Sequence, residues 1–293
     1  MSSQWLVDEG LRRTQGSTVN DARAGSQDHY IDADTPSAAR MYDYLLGGHY
    51  NYPCDREACD QLLVTAPSTR ELALNNRAFL ERVVRHIARR YGIRQFLDHG
   101  SGLPTQNNVH QVAQSVDPDS KVVYIDNDPL VLGYGRAFLE ENRNVLILPS
   151  DMRDTSAIAA DAARIIDFRR PVAALFVSVL HCVPDDDRGN PRRMVEDTVR
   201  LLAPGSVVVL CQLVSEDPRI RDAVTELMRE QTGGRWGRVR TEAEVAELFT
   251  VPRLRIEEEV GLLDVTDWRP DTELVRRQAT QEWIEFGGLA TVH

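Results

Sequence analysis

The sequence predicts an α/β fold: a mostly parallel sheet, a helical segment before it and an antiparallel edge at its C-terminal end. Three observations carry that expectation. From Arg94 onward, short apolar or β-branched runs alternate with helix-like stretches through five strands. Two of these runs, PVAALFVSVL (171–180) and SVVVLCQL (206–213), are almost continuously apolar, as strands covered on both faces are. Residues 34–92, by contrast, show only helical periodicity.

The elements follow in chain order. Residues 1–33 are polar, rich in Ser, Gly, Asp and Gln, and read as a flexible arm. DTPSAARMYDYLLGGHYNYPCDREACDQLL then gives a short helix stopped by Gly47-Gly48, an aromatic loop and a second helix capped by Asp55. In NRAFLERVVRHIARRYG one stripe carries Phe79, Leu80, Val83, Val84, Ile87 and Tyr91. Arg82, Arg85, Arg89 and Arg90 occupy the other side, and Gly92 closes the helix. Residues 34–92 are therefore expected to form a helical cap and residues 93–293 the sheet domain. There RQFLD (94–98) leads to a helix that Thr105 can cap, carrying Val109, Val112, Ala113 and Val116. KVVYID (121–126) and NVLIL (144–148) are further strands; PLVLGYGRAFLE, DTSAIAADAARIIDF and PRRMVEDTVRLLAPG are helices. After helices near 218–231 and 241–249, LRIEEEV and EWIEFGGLATV form the antiparallel edge.

Composition narrows the function. Of 293 residues, 42% are apolar, enough for a sizeable core. A net charge of −11 argues against nucleic acid or an anionic membrane surface as partner. No apolar run reaches the length of a membrane span, and the N-terminal MSSQWLVDEG carries early acids where a secretory signal has its apolar stretch. Cys54, Cys59, Cys182 and Cys211 form no C-x-x-C pair, which suits reduced thiols in a cytoplasmic protein and offers no zinc site.

The first specific stretch is FLDHGSGLPTQNNVHQV (96–112). Gly100-Ser101-Gly102 follows the first strand, on the edge of a parallel sheet where ligands bind. Glycine lets the backbone approach a ligand closely. Asp98 ends that strand, Asp126 ends the second, and Pro149-Ser150-Asp151 follows the third. A carboxylate at the second position can accept both ribose hydroxyls, and one at the third can accept an exocyclic amine. Three acids on successive strand ends thus describe a nucleoside; taken singly, each acid is equally a turn residue or a solvated strand end. The run lacks the third glycine of a dinucleotide fingerprint and the Gly-Lys-Ser/Thr of a phosphate loop, which disfavours a nicotinamide-dependent oxidoreductase and an NTPase.

FLDHGSG, VVYIDNDP, LPSDMRD, SVLHCVPDD and LLAPGSVVVL, in this order and spacing, resemble the class I methyltransferases that use S-adenosylmethionine. PSAARMYDYLLGGHYNYPCDREA, NNRAFLERVVRHIA, GLPTQNNVHQVAQ, DNDPLVL and the late DWRP are similar to the actinobacterial S-adenosyl methyltransferase family, once known only as a domain of unknown function. The resemblance spans about residues 34–290. It implies a Rossmann-like, seven-stranded sheet with a reversed last strand, the cofactor S-adenosylmethionine, and cofactor binding by residues 93–293. By resemblance Asp98, Gly100, Ser101 and Gly102 line the methionine and ribose part of the cofactor. Asp126 would hold the ribose hydroxyls, Asn127 would lie beside the adenine, and Asp151 with Met152 would bind the adenine edge. Pro104 stands where the wider superfamily often has a third glycine.

Methyl transfer from a sulfonium demands mainly positioning, and a base only where the attacking atom carries a proton. His181, directly after the fourth strand, and Tyr50 are the candidate groups for that chemistry; a hydrogen-bonded structural histidine is the alternative for His181. The acids Asp185, Asp186 and Asp187 read as a solvated loop and a helix start, and His110 as structural. Tyr42, Tyr44, His49, Tyr50 and Tyr52 make the cap unusually aromatic, suited to enclosing a sulfonium or a planar acceptor or, for some of them, to packing the cap. Arg40 and Arg77 are candidates for a clamp on the cofactor carboxylate. A small-molecule methyltransferase is the leading expectation; a retired enzyme that senses the cofactor without transferring a methyl is the other.

Overall fold

Fully covered strands explain the apolar runs. The computed structural model describes residues 31–104, 107–139, 142–186, 190–272 and 276–293. Its parallel strands are β1 (Gln95–His99), β2 (Lys121–Asp126), β3 (Val145–Pro149), β4 (Ala173–Val177) and β5 (Val207–Val214). Side chains alternate between two cores, with Leu97, Val123, Leu146, Ala174 and Val208 on one face and Phe96, Val122, Val145, Ala173 and Val207 on the other. Each strand is thus apolar on both faces.

Among the described residues three helices precede the sheet: α1 (Ala38–Leu45), α2 (Pro53–Thr65) and α3 (Thr69–His86), the last extended by a wide turn over Ile87–Tyr91. Gly92, at φ 66°, ends it as expected. The helix α2 corrects one expectation. Its N-cap is Tyr52, and Asp55 sits in the first turn with its carboxylate accepting the Tyr52 N–H at 2.7 Å. The strands are joined by α4 (Val109–Val116), α5 (Pro129–Phe138), α6 (Thr155–Ala162) and α7 (Pro191–Leu201). The N-cap of α4 is Asn108, whose N–H donates to Gln111 Oε1 at 2.9 Å. Thr105, expected to cap it, lies outside the described residues, as do Asp187 and residues 1–30 of the expected arm.

After α8 (Pro218–Gln231) and α9 (Glu242–Leu248) come β6 (Leu254–Ile256), β7 (Leu263–Asp264) and β8 (Ile284–Val292). The sheet order is β3-β2-β1-β4-β5-β8-β6, with β7 also on β8. β8 runs antiparallel to β5, and β6 and β7 pair its other edge end to end, at Ala290–Val292 and Phe286–Gly287. Among the described residues eight strands thus occupy seven positions, with the reversed strand second from the edge. The strand expected over LRIEEEV shrinks to three residues because the chain leaves the sheet at Glu257 and returns at Leu263.

The order reverses between β1 and β4, so their C-terminal ends flank a crevice at the switch point. The helices α1 to α3 close over it. Met41, Leu45, Leu62, Leu72 and Ala73 pack with Leu213, Met228, Trp236 and Trp283 in a separate core. No helix among the described residues is long and apolar enough to cross a membrane.

Candidate active site

A cavity of about 590 Å³ opens at this switch point, between the strand ends and α1 to α3. That volume suits a small ligand. Its lining includes Asp98, Gly100, Ser101, Gly102, Asp126, Asn127, Asp151 and Met152, the whole set expected to hold the cofactor. Tyr42, Arg77 and His181 line it too.

The glycine turn is shaped by its neighbours. The N–H groups of Gly100 and Ser101 donate to the Ile125 carbonyl at 2.8 and 3.2 Å, and the Gly102 N–H donates to Asp126 Oδ2 at 2.9 Å. Gly100 has φ 68°, and a Cβ there would stand 2.2 Å from Val179 Cγ2. Only glycine meets both demands. Asp98 is buried at the cavity wall, and among the described residues none donates a hydrogen bond to its carboxylate. Burial pushes its pKa up to about 7, with Arg77 pulling the other way and Asp126 adding to the rise. Asp126 is raised to about 6, again by burial, against the N–H groups of Asp128 and Gly102 that it accepts. Two hydrogen bonds leave about half the acceptor capacity of a carboxylate free. Asp151 differs. Arg153 pairs with it at 2.5 Å and holds its pKa below the usual carboxylate range; both side chains are about a third exposed, so the pair is readily exchanged for another partner.

The expected chemistry groups separate. His181 is buried at the cavity, its Nδ1 accepting the Leu213 N–H at 3.4 Å and its ring 4.8 Å from that of Trp236. Burial lowers its pKa to about 3, with Arg240 contributing, so at ordinary pH it is a neutral imidazole, an acceptor at Nδ1 and a donor at Nε2. Tyr50 and His49 are not brought to the cavity. Tyr50 packs on Tyr134 and Phe138, with ring centroids 4.2 and 6.4 Å away, and His49 is exposed. Gly47 at φ 83° turns the chain there, and Gly48 lies against the buried Asp43, which accepts the Tyr50 N–H. Arg40 is also elsewhere. It donates to Asp55 Oδ2 at 2.8 Å and to the Asp32 and Thr35 carbonyls at 2.9 and 2.5 Å, fastening α1 to α2. Arg77 remains beside Asp98 and donates to the Asn107 carbonyl at 2.7 Å. Tyr42 accepts from Asn76 Nδ2 and donates to the Ala73 carbonyl, both at 3.0 Å. Asp185 is no free loop acid: it takes Arg238 at 2.5 Å and Arg240. His110 is buried, with Nδ1 2.8 Å from the Tyr124 hydroxyl.

Sequence reasoning missed the other end of the cavity. Trp236, Trp283, Leu213, Ser178 and Glu285 line it, with Met41, Leu45 and Leu62 from the cap. The signal was a polar residue breaking an apolar strand: Ser178 in PVAALFVSVL and Glu285 in EWIEFGGLATV.

Comparisons with known proteins point to one family. The model of the S-adenosyl methyltransferase family matches residues 24–293. The crystal structure of a proposed methyltransferase of Thermobifida fusca YX is 38% identical, with a TM-score of 0.81 over 89% of this chain and 97% of that one. A DUF574-family protein of Streptomyces avermitilis MA-4680 is 32% identical, with a TM-score of 0.77 over 90% of this chain and 100% of that one. No curated protein matches the chain.

Proposed function

The chain belongs to the S-adenosyl methyltransferase family and is an S-adenosylmethionine-dependent methyltransferase, and we propose that its acceptor is a small molecule with an apolar, partly aromatic body. One observation carries the proposal. A single cavity of about 590 Å³ has acids and a glycine turn at one end and Trp236, Trp283, Leu213, Met41, Leu45 and Leu62 at the other. The net charge of −11 supports a small acceptor over nucleic acid.

The residues present suit the cofactor. Asp98 offers a carboxylate without an internal donor among the described residues, fit for a hydroxyl or ammonium. Asp126 keeps lone pairs for ribose hydroxyls, and Gly100, Ser101 and Gly102 leave room beside them. Asn127, Met152 and Asp151 would form the adenine end. When bound, S-adenosylmethionine supplies an activated methyl group on a sulfonium. The protein's part is placement: Arg77 balances Asp98, Tyr42 and the tryptophans exclude water, and residues 34–92 act as the cap. His181 would shape the wall by its neutral ring, since a group with a pKa of about 3 is a poor proton acceptor at neutral pH.

The test is transfer from methyl-labelled cofactor, offered in parallel a panel of small phenols and amines, total RNA and total protein. Label in the small-molecule fraction alone is expected. Label in RNA or protein would overturn the acceptor class, and binding of cofactor without any transfer would favour a sensing role.

A further inference from the structure

We infer that Glu285, held by Ser178, is the proton-accepting group at the methyl-transfer end of the cavity, so that the acceptor presents a hydroxyl or an amine to it. This rests on the cofactor placement just proposed. Strand order supplies the distance. Asp98, Asp126 and Asp151 stand at the ends of β1, β2 and β3, whereas Glu285 lies on β8, on the far side of β4 and β5. Three strand spacings from β1 come to about 14 Å. A nucleoside on the acids therefore points its sulfur end toward Glu285.

The local geometry prepares the carboxyl group. Ser178 directly follows β4 at φ 55°, a left-handed conformation that is costly for serine. Its N–H donates to the Cys211 carbonyl at 3.0 Å, and its hydroxyl donates across β5 to Glu285 Oε1. Glu285 is only 2% exposed, yet among the described residues its Oε2 has no hydrogen-bond partner. An unpaired buried carboxylate oxygen is costly, and it lines the cavity here. The groups acting on it are Ser178, Cys211 and Asp264, with Tyr42 and Cys182 near by; among the described residues no cation pairs with it. Burial above all raises its pKa to about 8, against the Ser178 hydrogen bond and the neighbouring Cys211 thiol, which suits a group that exchanges a proton near neutrality.

The step balances within these partners. The acceptor's lone pair forms the new bond to the methyl carbon, and the carbon–sulfur bond breaks with its pair left on sulfur. The acceptor's O–H or N–H proton passes to Glu285, so one carboxylate and one sulfonium become a neutral acid and a neutral thioether.

Calorimetry on the full chain at a pH of about 9, above the Glu285 value, tests this without a known acceptor. Two probes suffice: S-adenosylhomocysteine, neutral at sulfur, and the cofactor analogue with an amine in place of the S-methyl group. Glu285→Gln is expected to bind the thioether within about twofold of wild type and the amine analogue about tenfold or more weakly. Ser178→Ala should show a smaller loss with the same preference. Equal losses for both ligands, or none, would overturn the inference and leave the cofactor reading intact. A wild-type protein that binds neither ligand would overturn that reading and this inference with it.

Discussion

The two ends of the cavity are built differently. The proposed cofactor end draws its groups from three consecutive strand ends and one turn, within residues 98–152. The proposed acceptor end draws Tyr42 from α1, Ser178 from just after β4, Leu213 from β5, Trp236 from a loop, and Trp283 and Glu285 from the last strand and its approach. One end is local in sequence and fixed by the parallel sheet. The other exists only when segments more than a hundred residues apart are packed together. The first can hold a constant ligand, while the second can change its acceptor by changing side chains on separate elements.

The sharpest way to break this division is through the cap. Arg40→Ala leaves the buried Asp55 without its cation and should cost about 3 kcal/mol or more of stability, read by urea unfolding. Affinity for S-adenosylhomocysteine should stay within about threefold, because Arg40 fastens the cap and lies away from the cofactor acids. A loss of affinity with no loss of stability would restore Arg40 to the site. Asp126→Ala should act the opposite way, weakening cofactor binding by about 1.5–3 kcal/mol by calorimetry, the scale of hydrogen bonds to a charged group. Gly100→Ala should cost about 1–3 kcal/mol, since the new Cβ meets Val179 in a left-handed backbone. Its melting temperature should fall together with cofactor affinity. If the turn simply moved aside, both would be unchanged.

The smallest effect is in pH. Asp98 at about 7 and Glu285 at about 8 are raised by burial above their unfolded values, so the folded protein binds more protons than the unfolded chain in that window. Their contribution to stability is present at low pH and is lost as pH rises through those values. His181 and His99, lowered by burial to about 3 and 4, act with the opposite sign but below about pH 6.5, the unfolded histidine value. Thermal melts of the ligand-free protein should therefore fall from about pH 6.5 to about pH 8.5, and bound cofactor should flatten the slope. A rising slope there would mean that the acids are solvated.

The same contrast explains what the sequence made legible. KVVYID and SVVVLCQL could be read as strands because both faces are covered, and Asp126 could be placed because it ends such a run. The turn at Gly100 was legible because strand, glycines and helix adjoin. Tyr50 and Arg40 were misleading because an aromatic or a cation in a cap has several places to go, and here they meet Tyr134 and Asp55. Ser178 and Glu285 were overlooked because one is a lone polar residue in an apolar run and the other the one charged residue of β8, and the meaning of each depends on the other, 107 residues away.

The most direct measurement of the division is a crystal structure with S-adenosylhomocysteine bound. The expected result has the ribose hydroxyls on Asp126, the adenine beside Asn127 and Met152, and the sulfur directed toward Glu285, with the space beside Trp236 and Trp283 left for the acceptor. A nucleoside lodged between Trp236 and Trp283, with Asp126 untouched, would contradict it.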